Sequence, residues 1–372
     1  MTLDGADADT VRRAVESGDP LPGTAGFAGA VDGVLVRDVL GRYPLFYDAE
    51  SDGNDWARRP DDLDDPARLP PGMRVKRGST EAEQCWSLPE PTPETDRRDA
   101  VVAVQDAIRT SAKSLDIAGD TAVAFSGGVD SALVAALVDG PCYVAGFPGS
   151  HDVAAAKIAA AAMDVDLTVV ELTPELLERA VPSVARAIGR TNAMDVGIAL
   201  PLFLVAERVV EDGFDRLAVG QGADELFGGY TKVAKAPTDP RVDADTVRGA
   251  AREMIRTLPN QLERDVLGLR AAGVEPVAPL LHDAVVDAAL RLPGDLLVDD
   301  RSERKVALRL AARAWLPDRV TFREKKAVQY GSFVARELDR LARQAGFKRR
   351  MDDHVSQYVA SRVEGGQVEG WR

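Results

Sequence analysis

The sequence predicts an α/β protein: a doubly wound parallel sheet with a helical C-terminal part, preceded by a small β-rich N-terminal domain. Short apolar runs at residues 122–125, 142–147 and 167–171 indicate buried strands, and helical patterns lie between them. Strands that alternate with helices in this rhythm indicate a parallel sheet whose ligands bind at the carboxyl ends of the strands. Residues 1 to about 90 differ, because their short apolar segments alternate with polar residues and are separated by turns.

Length, charge and cysteine content limit the class of protein. A chain of 372 residues is long enough for two domains with a sizeable core. The formal net charge of −14 argues against a nucleic-acid partner, which requires a basic surface. No run of about 18 apolar residues is present, so we expect no membrane span. Cys85 and Cys142 form no C-x-x-C pair and the first residues are too acidic for a secretion signal, so we expect a cytoplasmic protein.

A linker rich in proline, glutamate and threonine occupies residues 89–96. It divides the chain into predicted domains of residues 1–92 and 96–372. After the linker, Asp96 is placed to cap a helix whose apolar positions recur as far as Ser114.

The predicted N-terminal domain shows strand signals. Residues 31–39 alternate between apolar and polar side chains as in a half-buried strand. Residues 69–78, LPPGMRVKRG, combine a proline–glycine turn with a second strand-like piece.

The rest of the chain is organised around residues 121–138, where a buried strand is followed by a glycine turn and a helix. This order of elements directs several backbone N–H groups and a helix N-terminus at one spot, which favours an anion. The lysine of the usual P-loop is missing, and Asp130 stands in its place as a suitable ligand for Mg²⁺. A plain turn with Ser126 or Asp130 as the helix cap is the alternative. The turn consists of Ser126, Gly127, Gly128, Val129, Asp130 and Ser131.

A polar turn follows the second predicted strand. Phe147 ends this strand, and His151 and Asp152 come just before an alanine-rich helix. Phe147 is therefore predicted at the carboxyl end of a strand, where a nucleotide would bind. Asp152 serves equally well as the N-cap of the helix, and this alternative stays open.

A second glycine-rich motif, GQGADELFGGY, occupies residues 220–230. Gly220 and Gly222 allow the backbone to approach a ligand closely. Asp224 and Glu225 place two carboxylates just after a predicted strand, and carboxylate oxygens are suitable ligands for Mg²⁺. The alternative is a glycine turn with solvated acids.

Two later stretches carry further candidates. Glu275 lies in an irregular, proline-punctuated run after a helix that is predicted to end near Ala272, with Gly273 as its stop signal. Lys325 and Lys326 lie in a basic stretch, RVTFREKKAVQYGS. A surface acid and a solvated basic pair are the respective alternatives.

These motifs resemble those of a known family. SGGVDS is similar to the PP-loop of the ATP pyrophosphatases, which have an adenine nucleotide alpha hydrolase-like fold. GQGADELFGGY is similar to the signature of the asparagine synthetases, although Gln221 stands where glutamate is usual. The runs around Glu275 and Lys325 match the same family in the same order, although Val277 stands where arginine is usual. The resemblance covers about residues 95–335, and agreement of several ordered motifs favours a common fold.

The resemblance implies an ATP-dependent, AMP-forming carbon–nitrogen ligase, as in asparagine biosynthesis. ATP with Mg²⁺ would adenylate aspartate or a similar small-molecule acid, pyrophosphate would leave, and ammonia or an amine would displace AMP. Mg²⁺ would be bound by Asp130 and Asp224. Glu275 would act as a general base or orient the amine, and Lys325, or Lys326 in a shifted register, would stabilise charge on the phosphates. ATP would be bound by Ser126, Gly127, Gly128, Asp130, Ser131, Phe147, Gly220 and Gly222.

Residues 36–48, VRDVLGRYPLFYD, resemble a segment of the N-terminal glutaminase domain of the same family. In that domain residue 2 is a nucleophilic cysteine, whereas this chain has Thr2 and a shorter domain. The resemblance therefore implies a degenerate domain without glutaminase activity of its own. Ammonia, an amine or a separate glutaminase would then supply the nitrogen.

Other functions stay open. A β-lactam synthetase-like or other small-molecule amide ligase would keep the fold and change the substrate. A PP-loop enzyme that modifies tRNA is disfavoured by the acidic charge and by the lack of paired cysteines. A nucleotide-binding regulatory protein without catalysis is disfavoured by the presence of Asp130, Asp224 and Lys325, although Gln221 counts slightly for it. The sequence also leaves open the identity of the acid and whether the chain forms a homo-oligomer.

Overall fold

The structure, a computed structural model, describes residues 3–48, 55–76, 78–79, 81–115, 120–236, 244–323 and 330–363. The chain forms two compact units, each built from separate stretches of sequence. The boundary predicted between residues 92 and 96 lies within a stretch of the first unit and stays a prediction. The first unit comprises Met1–Ile117, Gly220–Glu263 and Ala278–Thr321, and the second comprises Ala118–Val219, Arg264–Val277 and Phe322–Arg372.

Strands predominate in residues 3–84, strands and helices alternate in residues 97–218, and the rest of the described chain is mostly helical. In chain order the strands are β1 (Leu3–Asp4), β2 (Ala28–Val31), β3 (Val34–Arg37), β4 (Phe46–Asp48), β5 (Trp56–Ala57), β6 (Pro66–Arg68), β7 (Met73–Lys76), β8 (Ala82–Gln84), β9 (Ala122–Ala124), β10 (Cys142–Gly146), β11 (Leu167–Glu171), β12 (Arg216–Ala218) and β13 (Glu275–Val277). The helices are α1 (Ala8–Ser17), α2 (Arg97–Ser114), α3 (Val129–Val138), α4 (His151–Met163), α5 (Pro174–Ile188), α6 (Ala193–Glu211), α7 (Ala223–Leu226), α8 (Thr231–Lys235), α9 (Val247–Ile255), α10 (Leu258–Ala271), α11 (Asp283–Leu290), α12 (Gly294–Leu297), α13 (Val306–Ala312), α14 (Asp318–Thr321), α15 (Tyr330–Gln344) and α16 (His354–Arg362).

The first unit contains the β-rich region that the sequence predicts. Among its described residues, one antiparallel sheet has the order β1-β2-β3-β7-β8 and a smaller antiparallel sheet has the order β5-β4-β6. Residues 31–39 do not form the single strand that their alternation indicates. Instead β2 and β3 form a hairpin, and Asp32 and Gly33 at its turn have φ of +51° and +78°. An Asp-Gly pair favours such a turn because both positions need positive φ.

The same unit continues into α2, which begins where the sequence predicts. One carboxylate oxygen of Asp96 accepts hydrogen bonds from the N–H groups of Arg98 and Asp99, at 2.8 and 3.0 Å. Farther along α2, the Ser111 hydroxyl donates to the carbonyl oxygen of Pro279 at 2.6 Å. Helix α2 packs against α11 and α13.

The second unit contains the predicted parallel sheet. Its strand order among the described residues is β11-β10-β9-β12-β13, and every neighbouring pair is parallel. The α/β class and the strands predicted from the apolar runs are therefore confirmed. The prediction of an irregular run after Gly273 is wrong for residues 275–277, which form β13. Pro276 lies in this strand, which is an edge strand where a missing N–H is tolerated.

The helices agree with the sequence pattern to different degrees. Helix α3 is apolar on every face after Asp130 and Ser131 in its first turn, and it is buried along most of its length. Helix α10 ends at Ala271, and Gly273 has φ of +98°, in agreement with the predicted stop. The polar sequence after Gln344 carries no assignment, and in the structure α16 lies there and packs against α15 and α5. In the part of the chain that the structure describes, no helix is long and apolar enough to cross a membrane.

Both cysteines behave as small apolar side chains. Burial raises the pKa of the Cys142 thiol to about 12, and it also raises the pKa of the Cys85 thiol. A thiol whose pKa is raised carries little thiolate near neutral pH, so neither residue is poised as a nucleophile.

His282 in the first unit is a buried helix cap. Its Nδ1 atom accepts a hydrogen bond from the Ala284 N–H at 3.2 Å, at the start of α11. Burial lowers the pKa of His282 from its ordinary value of 6.5; the charge of Asp283 opposes this shift and that of Arg42 adds to it. The folded chain therefore favours the neutral imidazole.

We expect protonation of His282 to lower the free energy of unfolding as the pH falls below about 6.5. The unfolded chain binds this proton at higher pH than the folded chain does, so the free energy of unfolding decreases as the pH falls. His282→Asn keeps an acceptor for the helix cap and removes the titration, so its Tm should drop less than that of the wild type between about pH 7.5 and about pH 5.5. His151→Asn, at an exposed position, is the matched control. An equal drop in Tm for the wild type, the His282→Asn protein and the His151→Asn protein would contradict the prediction.

Candidate active site

Residues 126–131, named the SGGVDS loop below, follow the carboxyl end of β9 and include the first turn of α3 in the second unit. The Ser131 hydroxyl accepts a hydrogen bond from the Ser126 N–H at 3.1 Å and donates one to the Gly128 carbonyl oxygen at 3.2 Å. The hydroxyl oxygens of Ser126 and Ser131 are 3.2 Å apart. These bonds join the two ends of the loop, so the shape of its main chain is fixed.

Gly127 presses this loop against α4. Its φ is +72°, and a Cβ at this position would lie 2.8 Å from the carbonyl oxygen of Ala155 and 2.8 Å from the Cα atom of Ala156. Both the positive φ and the close approach to another main chain require glycine. The second position of the motif is therefore explained by local geometry.

Helix α3 starts in a way that suits an anion. Gly128 precedes it in an extended conformation, and no side chain of the described residues caps its N-terminus. The alternative in which Ser126 or Asp130 caps the helix is therefore wrong. Asp130 and Ser131 lie in the first turn and are buried. A helix N-terminus of this kind offers backbone N–H groups and a positive dipole end to a phosphate.

The neighbouring strand β10 places Phe147 after its carboxyl end. The Phe147 ring packs against the ring of Phe333 on α15, with 6.2 Å between the centroids. Helix α4 follows, and the Ser150 hydroxyl caps it by accepting from the Val153 N–H at 3.4 Å. The alternative in which Asp152 is the N-cap is therefore wrong, because Asp152 lies inside the first turn.

Arg323 lies close to the SGGVDS loop, although no sequence pattern predicts a role for it. Its guanidinium donates to the Ala155 carbonyl oxygen at 2.7 Å, and this is the oxygen that Gly127 approaches. The basic stretch that contains Arg323 is therefore anchored beside the loop at this residue. The predicted Lys325, like Lys326, lies outside the described residues.

In the first unit, residues 220–230 form the second motif, named the glycine motif below, around the short helix α7. Gly222 precedes this helix with φ of +85°, and a Cβ there would lie 2.7 Å from the Cγ atom of Leu281. Gly228 follows the helix with φ of +71°. Positive φ at both ends explains why glycine is needed at these two positions.

Asp224 of the glycine motif forms an ion pair with Lys305, which belongs to none of the sequence motifs. The Lys305 Nζ atom lies 2.6 Å from the Asp224 Oδ1 atom. Lys305 is buried, and its φ of +61° is a conformation that residues with a side chain rarely adopt. The Asp224 side chain is 34% exposed, so part of the carboxylate faces solvent. Strained main chain next to a reachable charge is typical of functional sites.

Gly229 leaves room for this ion pair. A Cβ at this position would overlap with the Asp224 carboxylate and would lie 2.7 Å from the Asp224 Cα atom. Arg304, the residue before the buried lysine, donates from its guanidinium to the Gly229 carbonyl oxygen at 2.5 Å. Two neighbouring basic residues thus hold the end of the motif in place.

Glu225 faces the interior of the first unit. The Tyr230 hydroxyl donates to its carboxylate at 2.5 Å. Burial raises the pKa of Glu225, and the hydrogen bond from Tyr230 opposes this shift. The two carboxylates of the motif therefore differ: Asp224 is partly exposed and paired with a cation, whereas Glu225 is buried and bonded to a hydroxyl.

Glu275 is not brought together with the SGGVDS loop. It is the first residue of β13 and is paired with Arg216 at the start of β12, whereas the loop follows the carboxyl end of β9. In a parallel sheet all strands run in the same direction, so the start of one strand and the end of another lie at opposite ends of the sheet. Arg270 donates to both carboxylate oxygens of Glu275, at 2.9 and 2.7 Å, and the side chain is 46% exposed. A surface ion pair accounts for these contacts.

The acidic residues present suit magnesium held together with a nucleotide. In the described residues no group of three or more His, Cys, Asp or Glu side chains is arranged as a metal cluster. Mg²⁺ at nucleotide sites is usually bound by one or two carboxylates together with phosphate oxygens and water. Asp130 in the second unit and Asp224 in the first each present a carboxylate in the first turn of a helix that follows a glycine, so each is a candidate ligand for such an ion.

A parallel sheet with a glycine loop and an uncapped helix after one of its strands defines an α/β fold of a kind that is typical of nucleotide-binding proteins. Comparison with known protein families identifies the family to which this chain belongs. The profile of the family described as asparagine synthase matches residues 103–251 and 235–362. The chain therefore belongs to the asparagine synthase family.

Individual relatives agree with this family. A Methanocaldococcus jannaschii protein assigned as a glutamine-hydrolysing asparagine synthetase is 29% identical over 289 residues, which cover 68% of this chain and 53% of that protein. Asparagine synthetase B of Escherichia coli is 25% identical over 257 residues, which cover 64% and 45%. The chain spans about half the length of these relatives. The crystal structure of an NAD+ synthetase from Burkholderia pseudomallei is 13% identical over 70% of this chain and 93% of that chain, with a TM-score of 0.25 that is too low to inform fold or function.

We expect Gly127→Ala to destabilise the second unit. The left-handed conformation alone costs about 1–2 kcal/mol for a residue with a Cβ, and the contact with Ala155 and Ala156 adds to this cost. The free energy of unfolding, measured by urea titration, should fall by about 2 kcal/mol or more. Gly268→Ala in α10 is the control, because a Cβ there would lie 3.6 Å from the Ile188 side chain, an ordinary contact distance. It should be neutral or stabilise the protein by up to about 1 kcal/mol. Equal stability of the Gly127→Ala protein and the wild type would contradict the close packing of the loop on α4.

Proposed function

We propose that this chain is an ATP-dependent amide ligase of the asparagine synthase type that forms AMP. A carboxylate oxygen of the acid attacks the α-phosphorus of ATP, and pyrophosphate leaves with the electrons of the broken P–O bond. An amine or ammonia then attacks the carbonyl carbon of the acyl-adenylate, and AMP leaves with the oxygen that came from the acid. The acid is aspartate or a similar small molecule.

The observation that carries the proposal is the shape of the SGGVDS loop. Its main chain is closed by the Ser131 hydroxyl, which bonds to the Ser126 N–H and the Gly128 carbonyl oxygen, is pressed on α4 at Gly127, and ends in an uncapped helix. Such a loop provides fixed N–H donors where charge develops on the phosphates, so little reorganisation is needed during the reaction. Phe147, after the adjacent strand, offers an aromatic ring to the nucleotide, and Gly220 and Gly222 are proposed to let the main chain approach it.

Charge on the phosphates is the main problem of this reaction. We assign Asp130 and Asp224 to the Mg²⁺ that accompanies ATP, because carboxylate oxygens are its preferred protein ligands. When bound, Mg²⁺ neutralises charge on the pyrophosphate that leaves. Lys305 orients the Asp224 carboxylate through their ion pair and adds a positive charge next to it. Lys325 keeps the charge-stabilising role that the family resemblance implies.

The proposed reaction assigns no step to Glu275. Its carboxylate is engaged by Arg270, and it lies at the edge of the sheet opposite to the SGGVDS loop. The role of general base inferred from the family resemblance therefore gains no support from the geometry. The amine can instead enter as the free base from solution.

The proposal is tested by ATP–pyrophosphate exchange across a panel of small carboxylic acids, in the presence of Mg²⁺. We expect aspartate or a related acid to stimulate incorporation of labelled pyrophosphate into ATP. The panel should include acids that carry their own amine, since those separate an intramolecular ligase from one that uses ammonia. Failure of every acid in the panel to stimulate exchange, together with release of ADP and phosphate from ATP, would contradict the proposed reaction.

Asp130→Asn and Asp224→Asn should each reduce this exchange by about 10²-fold or more, since each removes a charged oxygen ligand while keeping the side-chain size. Circular dichroism should show an unchanged fold. Asp287→Asn is the control: this carboxylate forms a surface ion pair with Arg291 on α11 and should leave the rate within about twofold. Full exchange activity in either of the first two variants would remove that residue from the site.

We further propose that the N-terminal region has no glutaminase activity. Thr2 lies outside the described residues, and the segment that resembles a glutaminase domain is engaged in internal contacts. Arg37 in this segment is fully buried and donates to the carbonyl oxygens of Leu69 and Gly41, at 2.8 and 3.0 Å. Such contacts indicate a structural role for this segment.

Purified protein should therefore release no glutamate from glutamine and should use ammonium as the nitrogen source. Thr2→Ala should leave the ammonium-dependent rate unchanged. An assay coupled to glutamate dehydrogenase measures the glutamate that is released. Glutamine-dependent release of glutamate that is lost in the Thr2→Ala protein would show that the N-terminal region is catalytic.

A further inference from the structure

A buried arginine in the first unit joins the β-rich region to residues 281–283. Arg42 is 4% exposed, and its guanidinium has three partners. Its Nε atom donates to Asp38 at 2.8 Å, Nη1 donates to the carbonyl oxygen of Leu281 at 2.7 Å, and Nη2 donates to the Asp283 carboxylate at 2.7 Å. The arginine thus holds two points on one short segment that is more than 200 positions away in sequence.

The partners of Arg42 are themselves fixed. Asp38 accepts hydrogen bonds from the N–H groups of Leu40 and Arg42, at 2.9 and 3.0 Å. Asp283 accepts from the N–H and the hydroxyl of Thr24, at 2.7 and 3.1 Å, with its second oxygen. Burial would lower the pKa of Arg42, but the charges of Asp283 and Asp38 outweigh burial and raise it. The guanidinium therefore stays charged, and its fork geometry sets the position of each partner.

The main chain has room for this arginine. A Cβ at Gly26 would lie 2.7 Å from the Cβ atom of Arg42 and 2.7 Å from its Nε atom, and the φ of Gly26 is +102°. Glycine at this position lets the arginine pass directly over the backbone. The path of the guanidinium is consequently defined on both sides, by Gly26 and by the carboxylates.

Leu281 connects this cluster with the glycine motif. Arg42 holds its carbonyl oxygen, and its side chain lies against Gly222, where a Cβ would be 2.7 Å from the Leu281 Cγ atom. Gly222 is the residue before α7, and Asp224 lies in the first turn of that helix. A shift of the main chain at Leu281 would therefore move the surface on which the start of α7 rests.

We infer that Arg42 is a positioning residue for the glycine motif: by fixing the main chain at Leu281 it sets the place of Gly222 and, through α7, of the Asp224 carboxylate. The β-rich region then serves the ligase as a rigid support. The effect on catalysis rests on the proposed function, whereas the effect on the motif does not. A displacement of about 1 Å at a reacting group can reduce a rate about 10²-fold, so a support of this kind affects activity without contacting substrate.

Arg42→Lys is the test, and Arg37→Lys is its matched control. Lysine keeps the charge but cannot reach Asp38, Leu281 and Asp283 at the same time. Arg37 is also fully buried in the same region, but the hydrogen bonds found for it in the described chain go to Leu69 and Gly41, and its ion pair goes to Glu263. Both variants lose a buried guanidinium, but only the Arg42→Lys variant loses the hydrogen bond to Leu281.

The first readout is hydrogen–deuterium exchange of the glycine motif, which requires no substrate. The amide N–H groups of Leu226, Phe227 and Gly229 donate within the motif, to carbonyl oxygens at 2.8, 3.2 and 2.7 Å. In the Arg42→Lys protein these amides should exchange about tenfold faster or more, and in the Arg37→Lys protein within about threefold of the wild type. Equal exchange of the motif in the two variants would overturn the inference, whatever their activity.

The second readout is ATP–pyrophosphate exchange below the unfolding temperature of both variants. Arg42→Lys should lower its kcat about tenfold while the KM for ATP changes less than about threefold, because the SGGVDS loop is untouched. Arg37→Lys should keep kcat within about twofold of the wild type. Loss of activity in proportion to loss of folded protein, in both variants alike, would show that Arg42 only stabilises the fold.

A second variant covers failure of Arg42→Lys to fold. Asp283→Asn keeps an acceptor for Thr24 and removes the charge that faces Arg42, so it should change the same amides in the same direction by a smaller factor. Absence of pyrophosphate exchange in the wild type would count against the proposed function. The amide comparison would still decide whether Arg42 positions the motif.

Discussion

The close contact between Gly127 and the main chain of α4 is the constraint on which the candidate site depends. It leaves no space for a Cβ next to Ala155 and Ala156, and the positive φ excludes other residues independently. The loop is therefore held between β9 and α4 by backbone atoms, which vary little with side-chain conformation. The start of α3 also has no side-chain cap, so its donors and dipole are offered to whatever binds there. Fixed dipoles of this kind stabilise charge without reorganisation during the reaction.

Buried charge organises the first unit in a comparable way. Lys305 is buried with a strained main chain beside the partly exposed Asp224, and Arg42 is buried between two carboxylates and a carbonyl group. Burying a charge is costly unless its partners are in good geometry, so each cluster defines the position of its members closely. A ligase that stabilises several negative phosphates benefits from carboxylates and cations whose positions do not relax. Under the proposed function the β-rich region takes no part in glutamine hydrolysis, and the role inferred for Arg42 makes this region part of the support.

Local patterns predicted most of the sheet, and long-range contacts decided the rest. The apolar runs at β9, β10 and β11 have the length and boundaries of buried strands, and they were placed correctly. The strand that begins at Glu275 has three residues with a proline inside, so its pattern carries no strand signal, and pairing with β12 alone defines it. That pairing also put Glu275 at the amino ends of the strands, which no local pattern shows. Lys305 could not be found either, because its partner Asp224 lies 81 positions earlier and an isolated lysine usually indicates a solvated surface.

The most direct test of the proposed chemistry follows the oxygen atoms of the acid. The acid selected by pyrophosphate exchange is prepared with ¹⁸O in the reacting carboxylate and incubated with ATP, Mg²⁺ and ammonium. The mechanism predicts one ¹⁸O atom in the AMP that is released and none in the pyrophosphate, because the carboxylate attacks the α-phosphorus. Label in inorganic phosphate, or AMP free of label while amide is formed, would contradict an acyl-adenylate intermediate and with it the assignment of this chain as an AMP-forming ligase.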